Sequence, residues 1–475
     1  MRLLNTMHTQ IRTSALILSA MVLFALPAHA MLADRYLVGI KLRAFEVAWE
    51  SQPNETMRKN AAATLEPLTF TFLSGNLSRA AQLLDQATTK LVEIPESDRW
   101  IQPVAVRVTQ PLIDLKNRQI KGKYVLIYKP QAAIPPEGSI QLLDQTGKPL
   151  SKPIPVADLA QANLDFTATL PEGIQAGPYK INYQIAISGN KLAGGAISLF
   201  IVNDLGNKLE SLGQKAESVR KLPPSIGRST WLLLQGRVNQ AAQGKDQETD
   251  YPLARWLTDL DQGFDQVCAG KMWPAPDSPS PLWLALPMGQ TDKVIRIEGA
   301  NRDGKTPLTC VVALHGAGGS ENLFCEGHGA LAPKLAVKNG WLLASPLNGP
   351  TDDLLDKLAT WHPIDKSRVV TVGHSMGAAN ATAWAARKPE QLRAVAALGG
   401  GGRAGKGEPW KKLPYFIGIG DKDFALKGAK ALAESLKQAG SDSVTLKIYP
   451  GLEHLTVVQA CLDDVFAFFN KSLDK

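Results

Sequence analysis

A serine that stands between two glycines is the residue of this chain best placed for nucleophilic chemistry. Ser375 follows the apolar residues 369–372 and precedes small residues from Ala378 onward. This order predicts a strand, a sharp turn that carries the serine in a G-x-S-x-G motif, and a helix. Gly373 and Gly377 lack the Cβ atoms that would clash beside a strained serine backbone. Free N–H groups at the start of the helix favour negative charge, and the pattern predicts Ser375 as a nucleophile.

A glycine-rich loop provides the second chemical feature. The sequence His-Gly-Ala-Gly-Gly occupies residues 315–319, directly after the apolar residues 308–314. Glycines let backbone N–H groups approach a ligand closely, so the N–H of Ala317 or Gly318 could form an oxyanion hole with the N–H of Met376. His315 is expected to brace this loop rather than to act as a base.

An acid and a base follow the serine in the order Ser…Asp…His. Asp421 and Asp423 come after the apolar residues 415–419, and His454 comes after residues 444–449. This is the chain order of a serine hydrolase built on a strand–turn–helix elbow. We expect His454 to be the base and favour Asp423 as the acid, because the acid usually lies a few residues beyond the end of its strand. Asp421 stays as the alternative.

The elements that must position these residues are continuous apolar strands alternating with helices from Pro281 to Lys475. Strands that are apolar throughout are buried on both faces, so the pattern predicts a mostly parallel sheet covered by helices on both sides. In such sheets the reactive groups gather at the carboxyl ends of the strands. The candidate nucleophile, acid, base and oxyanion loop all follow predicted strands.

Residues 281–475 resemble the α/β-hydrolase superfamily on four motifs: the 315–319 loop, the 373–377 elbow, Gly420-x-x-Asp423 and His454. The segment is most similar to secreted esterases of the polyhydroxybutyrate-depolymerase and feruloyl-esterase kind. It is also similar to the catalytic domain of the prolyl oligopeptidase family. The resemblance implies a serine hydrolase that works through a Ser-His-Asp triad and an acyl-enzyme, without a metal or cofactor.

Two departures from these relatives bear on the substrate. Only residues 399–414 separate two predicted strands, which leaves no room for a lid domain and favours an open site for bulky or polymeric esters. The N-terminal half predicts a sandwich rather than a propeller, which favours a carboxylic ester hydrolase over a prolyl oligopeptidase-like peptidase. A non-catalytic envelope-binding protein with a vestigial hydrolase domain is the third hypothesis. The acyl group, the alcohol and the oligomeric state stay open.

The rest of the chain divides into regions that differ in composition and in the spacing of their apolar residues. Short strand-like segments between Pro and Gly turns predict a β-sandwich of immunoglobulin or fibronectin type, although a Cys…Trp…Cys core is missing. The proline-rich residues 273–281 predict a boundary without regular structure. The expected division is a signal peptide at 1–30, a helical region at 31–99, the sandwich at 100–203, a helical region and linker at 204–280, and the hydrolase domain at 281–475.

The N-terminus predicts export. Arg2 and Arg12 precede the apolar residues 15–26, and Ala28-His-Ala30 offers a small-residue cleavage site. The mature chain is therefore expected to begin near Met31, in the periplasm or outside the cell. No later apolar run is long enough to span a membrane, so no stable membrane insertion is expected after cleavage.

The cysteines and the net charge limit which metals and macromolecules the chain is expected to bind. The four cysteines could form disulfides in an oxidising compartment, with three pairings open, or remain free, and their spacing fits no zinc pattern. The formal net charge is +8 from 52 basic and 44 acidic residues, which are scattered rather than clustered. Nucleic-acid binding is not predicted from such a distribution.

Overall fold

The computed structural model describes residues 28–129, 137–156, 159, 164–187, 190–245, 248–289, 291–299, 302–402, 404 and 409–474. The first helix begins at Ala28, so most of the predicted signal peptide lies outside the described residues. Among the helices of these ranges, none combines the length and apolarity needed to cross a membrane.

Four helices and a 3₁₀ turn open the described chain. They are α1 (Ala28–Ser51), α2 (Glu55–Thr64), α3 (Leu68–Leu73), α4 (Leu77–Leu91) and the turn Glu96–Ile101. Asn54 caps α2 by accepting hydrogen bonds from the N–H groups of Thr56 and Met57. Leu65, which follows α2, is fully buried in the apolar core that these helices share.

Two facing sheets form the predicted β-sandwich, which is confirmed. The strands are β1 (Val104–Val108), β2 (Leu112–Asp114), β3 (Gln119–Leu126), β4 (Gly138–Leu143), β5 (Ile154–Val156), β6 (Leu164–Thr169), β7 (Gly177–Ile187) and β8 (Asn190–Val202). One sheet has the order β1-β3-β6 and the other β2-β8-β7-β4-β5. Val106 and Tyr124 of the first sheet share a buried core with Ile140 and Ile185 of the second.

Three further helices join the sandwich to the C-terminal sheet: α5 (Leu205–Arg220), α6 (Ile226–Ala242) and α7 (Leu253–Cys268). Their core includes Trp231, Trp256 and Trp283, and Trp283 belongs to the first strand of that sheet. Thr230 accepts a hydrogen bond from the N–H of Ala285 at 2.9 Å. These contacts dock the helices firmly on the sheet edge.

The proline-rich residues 273–281 hold neither helix nor strand, yet they are anchored. Trp273 is buried, and a Cβ at Gly263 would lie 2.1 Å from its Nε1 atom. The Trp361 indole donates a hydrogen bond to the carbonyl oxygen of Pro274 at 2.8 Å. The stretch therefore packs against both of the regions that it connects.

An eight-stranded sheet organises the C-terminal part. Its strands are β9 (Leu282–Met288), β10 (Thr291–Gly299), β11 (Leu308–Leu314), β12 (Leu342–Pro346), β13 (Ile364–His374), β14 (Ala394–Leu398), β15 (Tyr415–Gly420) and β16 (Val444–Tyr449). The order is β16-β15-β14-β13-β11-β12-β10-β9. β10 runs antiparallel to β9 and β12, and the other neighbours are parallel.

Helices cover both faces of this sheet. They are α8 (Leu323–Asn339), α9 (Leu354–Ala359), α10 (Met376–Arg387), α11 (Pro409–Lys412), α12 (Leu426–Gln438) and α13 (Val457–Leu473), with a 3₁₀ turn at Pro389–Gln391. In β11, Val312 packs with α9, α10 and α12, whereas Val311 packs on the opposite face with α8 and α13. Burial on both faces explains the continuous apolar strands, and the predicted α/β fold is confirmed.

Helix α8 is longer than the sequence predicts. The sequence pattern predicts a helix only over Leu331–Asn339, and Gly327 disfavours a helix before it. The structure begins it at Leu323. A Cβ at Gly327 would lie 1.9 Å from the amide nitrogen of Gln459, so this glycine permits close packing against α13. Tertiary contact therefore outweighs local propensity here.

All four cysteines are free thiols. Cys310, Cys325 and Cys461 are buried, and Cys268 is exposed. Burial raises the pKa of the Cys310 thiol to about 12, which keeps it protonated and unreactive at neutral pH.

Candidate active site

Ser375 occupies a strained turn between β13 and α10. Its backbone has φ 54° and ψ −114°, and its N–H donates a hydrogen bond to the carbonyl oxygen of Leu398 at 2.8 Å. A positive φ is uncommon for a residue with a side chain and is held here by the surrounding structure. Ser375 is half-buried and the next residue, Met376, is exposed, so this turn is partly open to solvent.

Two glycines permit this turn for steric reasons. A Cβ at Gly373 would lie 2.2 Å from the carbonyl oxygen of Gly377. A Cβ at Gly377 would lie 2.0 Å from the carbonyl oxygen of Leu314. Both neighbours are backbone atoms, which cannot move aside without disturbing the sheet.

The substitution Gly377→Ala is expected to destabilise the protein by about 3 kcal/mol or more, as overpacking against backbone in a tight core does. Urea unfolding followed by circular dichroism measures the effect. Gly428→Ala is the matched control, because no atom lies within 4 Å of the added Cβ. It should leave stability unchanged or raise it by up to about 1 kcal/mol. Equal stability of the two variants would contradict this account of the turn.

The structure brings Asp423 and His454 together. Both carboxylate oxygens of Asp423 lie 3.0 Å from Nδ1 of His454. The side chains are 0% and 4% exposed, and Asp423 also accepts a hydrogen bond from the N–H of Ala425 at 2.8 Å. A carboxylate only accepts, so Nδ1–H is the donor and Nε2 keeps its lone pair for a proton.

The alternative acid is held elsewhere. Asp421 is exposed, and its Oδ1 atom accepts a hydrogen bond from the N–H of Gly451 at 2.8 Å. This contact ties the turn after β15 to the turn after β16. Asp421 therefore supports the loop that leads to the histidine, while Asp423 contacts the ring.

Ser375 and His454 border the same two-residue turn, Gly399-Gly400. A Cβ at Gly399 would lie 3.1 Å from Nδ1 of His454, and a Cβ at Gly400 would lie 3.9 Å from Cα of Ser375. Within the described part of the chain, the Ser375 hydroxyl makes no hydrogen bond with the imidazole. Such contacts in unliganded sites are often long and tighten when substrate binds.

The glycine-rich loop lies directly beside the serine. A Cβ at Gly316 would lie 3.1 Å from Cβ of Ser375, and Gly318 has a φ of 72°. His315 braces the loop as expected, since its ring nitrogens lie 2.7 Å from the carbonyl oxygen of Gly316 and 2.6 Å from that of Leu347. Among the described residues, the N–H groups of Ala317 and Gly318 donate to no carbonyl. They are therefore available to an oxyanion.

His374 has a role that the sequence did not reveal. Its Nε2–H donates a hydrogen bond to the backbone oxygen of His454 at 2.8 Å, and the two rings lie 4.7 Å apart between centroids. Burial, together with the nearby His454, lowers the pKa of His374 from 6.5 to about 3. His374 is therefore neutral at physiological pH, and it fixes the backbone that carries the candidate base. The only sequence signal was its place inside the elbow motif.

Stability is expected to fall as the pH drops from about 6.5 towards 3, because over that range the unfolded state binds a proton at position 374 that the folded state does not. One such group contributes a slope of up to about 1.4 kcal/mol per pH unit. Urea unfolding at pH 7 and pH 4 measures the loss. His374→Gln keeps an N–H donor but has no imidazole to titrate. Its loss of stability between pH 7 and pH 4 should therefore be smaller than that of the wild type by the contribution of this one histidine. An unchanged pH dependence in His374→Gln would contradict the assignment.

The N-terminal helices reach the site through Glu453. This buried carboxylate accepts hydrogen bonds from the N–H groups of Leu455 and Thr456 at 3.0 and 2.9 Å and from the Thr69 hydroxyl at 3.0 Å. Burial raises the pKa of Glu453. Thr69 belongs to α3, which the sequence predicts only as part of the helical region at 31–99. Helix α3 instead holds the residue that precedes the candidate base.

A cavity of about 160 Å³ lies between these helices and the glycine-rich loop. Its lining includes Val38, Phe72, His374, Leu455 and the backbone of residues 316–319. Helices α1 and α3, from the N-terminal part of the chain, supply one wall of this cavity. Across the ranges that the structure covers, no group of three or more His, Cys, Asp or Glu side chains is arranged to bind a metal.

The eight-stranded sheet, the serine elbow and the chain order Ser…Asp…His define the C-terminal part as an α/β-hydrolase domain. In agreement, residues 330–458 match the model of the dienelactone hydrolase family, and this range includes the elbow, both aspartates and His454. The sequence matches no curated protein.

Solved structures with a similar fold include three esterases or hydrolases. The feruloyl esterase module from Clostridium thermocellum is 13% identical, with 41% of this chain and 90% of that chain covered and a TM-score of 0.34. The S-formylglutathione hydrolase from Agrobacterium tumefaciens is 16% identical, with 38% and 90% covered and a TM-score of 0.31. Est1E from Butyrivibrio proteoclasticus is 14% identical, with 42% and 100% covered and a TM-score of 0.32.

Proposed function

We propose that this protein is a serine hydrolase that cleaves carboxylic esters through a Ser375–His454–Asp423 triad. The observation that carries the proposal is the buried His454 ring, whose Nδ1 lies 3.0 Å from both oxygens of Asp423. A purely structural histidine has no need of a neighbouring serine at φ 54° on a glycine-flanked turn. Nucleophile, base and acid thus share one edge of the sheet.

The chemistry follows from the positions of these groups. The Ser375 oxygen attacks the ester carbonyl while Nε2 of His454 takes its proton, and Asp423 stabilises the imidazolium that forms. The N–H groups of Met376 and of Ala317 or Gly318 receive the oxyanion. The imidazolium then gives its proton to the leaving alcohol. Water attacks the acyl-enzyme in the same way and releases the acid.

The surroundings of Ser375 support an ester of some bulk, including a polymeric one. Met376 is 46% exposed and Phe424 is 52% exposed, so the mouth of the site is open to solvent. The N-terminal strands form a sandwich of two sheets, which offers no propeller tunnel to select short peptides. We therefore favour esters over prolyl peptides as substrates.

The proposed location is the periplasm or the medium. Support comes from the sequence, in which basic residues, an apolar run and a small-residue site follow one another within residues 1–30.

A fluorophosphonate probe tests the assignment without knowledge of the natural substrate, because it reacts with an activated serine. The full-length protein should be labelled on Ser375, as peptide mass spectrometry would show, and Ser375→Ala should remain unlabelled. A parallel panel of acyl esters and prolyl peptides separates an esterase from a peptidase. An unlabelled wild-type protein would instead indicate a vestigial hydrolase domain.

A further inference from the structure

Two exposed aromatic rings form a row that leads from the ring of His454, the candidate base, to the protein surface. The Phe424 ring lies 4.4 Å from the His454 ring and 4.8 Å from the Phe70 ring, measured between centroids. Phe424 is 52% exposed and Phe70 is 59% exposed. Single exposed apolar side chains are ordinary, but these two form one continuous surface that ends on the candidate base.

The backbone next to each of the two rings is anchored by hydrogen bonds. Phe424 directly follows Asp423, which is fixed by His454 and by the N–H of Ala425. Phe70 directly follows Thr69, whose hydroxyl is bonded to the buried Glu453 at 3.0 Å. The backbone that carries each ring is therefore anchored, while about half of the ring surface faces water. A preorganised apolar surface of this kind favours binding, because little side-chain freedom is lost when it is covered.

The position of the rings relates them to one part of the substrate. In the proposed reaction the imidazolium delivers its proton to the alcohol oxygen as the acyl–oxygen bond breaks, while the Ser375 oxygen holds the acyl group. The leaving alcohol must therefore lie next to the His454 ring, which the Phe424 ring contacts in a tilted arrangement. The carbonyl oxygen of the acyl group faces the oxyanion loop instead.

We propose that Phe70 and Phe424 form the subsite for the alcohol portion of the ester, and that this portion presents a ring with an apolar face. The inference rests on the proposed function and deepens it. An aromatic alcohol and a sugar ring share this chemistry, since each stacks on an aromatic side chain. Aromatic stacking predicts a gain of about 2- to 10-fold in binding over a ringless alcohol.

Acetate esters of different alcohols test this subsite in the full-length protein. Benzyl acetate, a 6-O-acetylglucoside and ethyl acetate share one acyl group, so differences among their kcat/KM values report the alcohol. Phe70→Ala should lower kcat/KM about 2- to 10-fold for the ring-bearing ester that the site prefers and leave ethyl acetate unchanged. Leu73→Ala is the matched control, because Leu73 is on the same helix and 50% exposed. It should change none of the three values.

The outcomes separate the two proposals. A preference for benzyl acetate identifies an aromatic alcohol, and a preference for the glucoside identifies a sugar. The subsite is overturned if the wild type hydrolyses all three esters and Phe70→Ala lowers them equally or not at all. A wild type that the fluorophosphonate probe does not label overturns the proposed function, and the subsite falls with it. Product inhibition by benzyl alcohol or glucose gives a second readout, and it should weaken in Phe70→Ala alone.

Discussion

Ser375→Ala is expected to lower kcat for short p-nitrophenyl esters by about 10⁶-fold, as removal of a triad serine does in a known hydrolase. The hydroxyl oxygen forms the acyl-enzyme, and an alanine methyl group has no atom that can replace it. The small residual rate comes from binding and from the oxyanion donors alone. Steady-state kinetics on the purified variant measure the loss.

Ser435→Ala is the matched control for this variant. Ser435 is half-buried in α12 of the same domain, and its hydroxyl donates to the backbone oxygen of Leu432 at 2.8 Å. Its activity should stay within about 2-fold of the wild type, because surface substitutions of this kind have small effects. If Ser375→Ala kept a tenth or more of the wild-type rate, another residue would have to be the nucleophile.

Asp423→Asn is expected to lower kcat by about 10⁴-fold, because the amide no longer holds His454 in the tautomer that leaves Nε2 free. The comparison with Asp421→Asn is the sharpest available. Asn at position 421 retains an oxygen that can accept the hydrogen bond from Gly451, so its activity should fall only a few-fold. Kinetics on the same ester measure both variants. A larger loss in Asp421→Asn than in Asp423→Asn would exchange the roles of the two aspartates.

The elbow could be predicted from neighbouring residues, and the candidate base could be predicted from its place after the last strand. An apolar run, two glycines and a serine specify the turn at Ser375 within nine residues. The alternation of apolar strands and helices then predicts the sheet, and the structure confirms it. His454 follows the last strand of that sheet, so topology alone places it at the same edge as the serine.

The choice between the two aspartates was less determined. Asp421 and Asp423 lie in one turn after β15, and the local sequence gives both of them access to the carboxyl edge. Their roles differ through partners about thirty residues away, because Gly451 bonds to Asp421 and His454 bonds to Asp423. Local pattern does not encode which side of a turn each side chain faces.

The contribution of the N-terminal helices could not be predicted either, because it depends on a contact between residues that are even further apart in the chain. Thr69 and Glu453 are 384 positions apart, and their hydrogen bond exists only in the folded molecule. Nothing in the period or capping of α3 indicates that its threonine meets a loop of the distant sheet. The same holds for Phe70, which reads as an ordinary residue of a short helix until Phe424 is placed beside it.

The hydrogen bond between Thr69 and Glu453 can form only after both residues have been synthesised. Ribosomes make α3 before the loop of Glu453 and His454, because Glu453 follows Thr69 by 384 positions. Helix α3 must wait for that loop before its contact can form. If His454 is the base, as proposed, a growing chain that has not yet reached position 454 has no group that can activate Ser375.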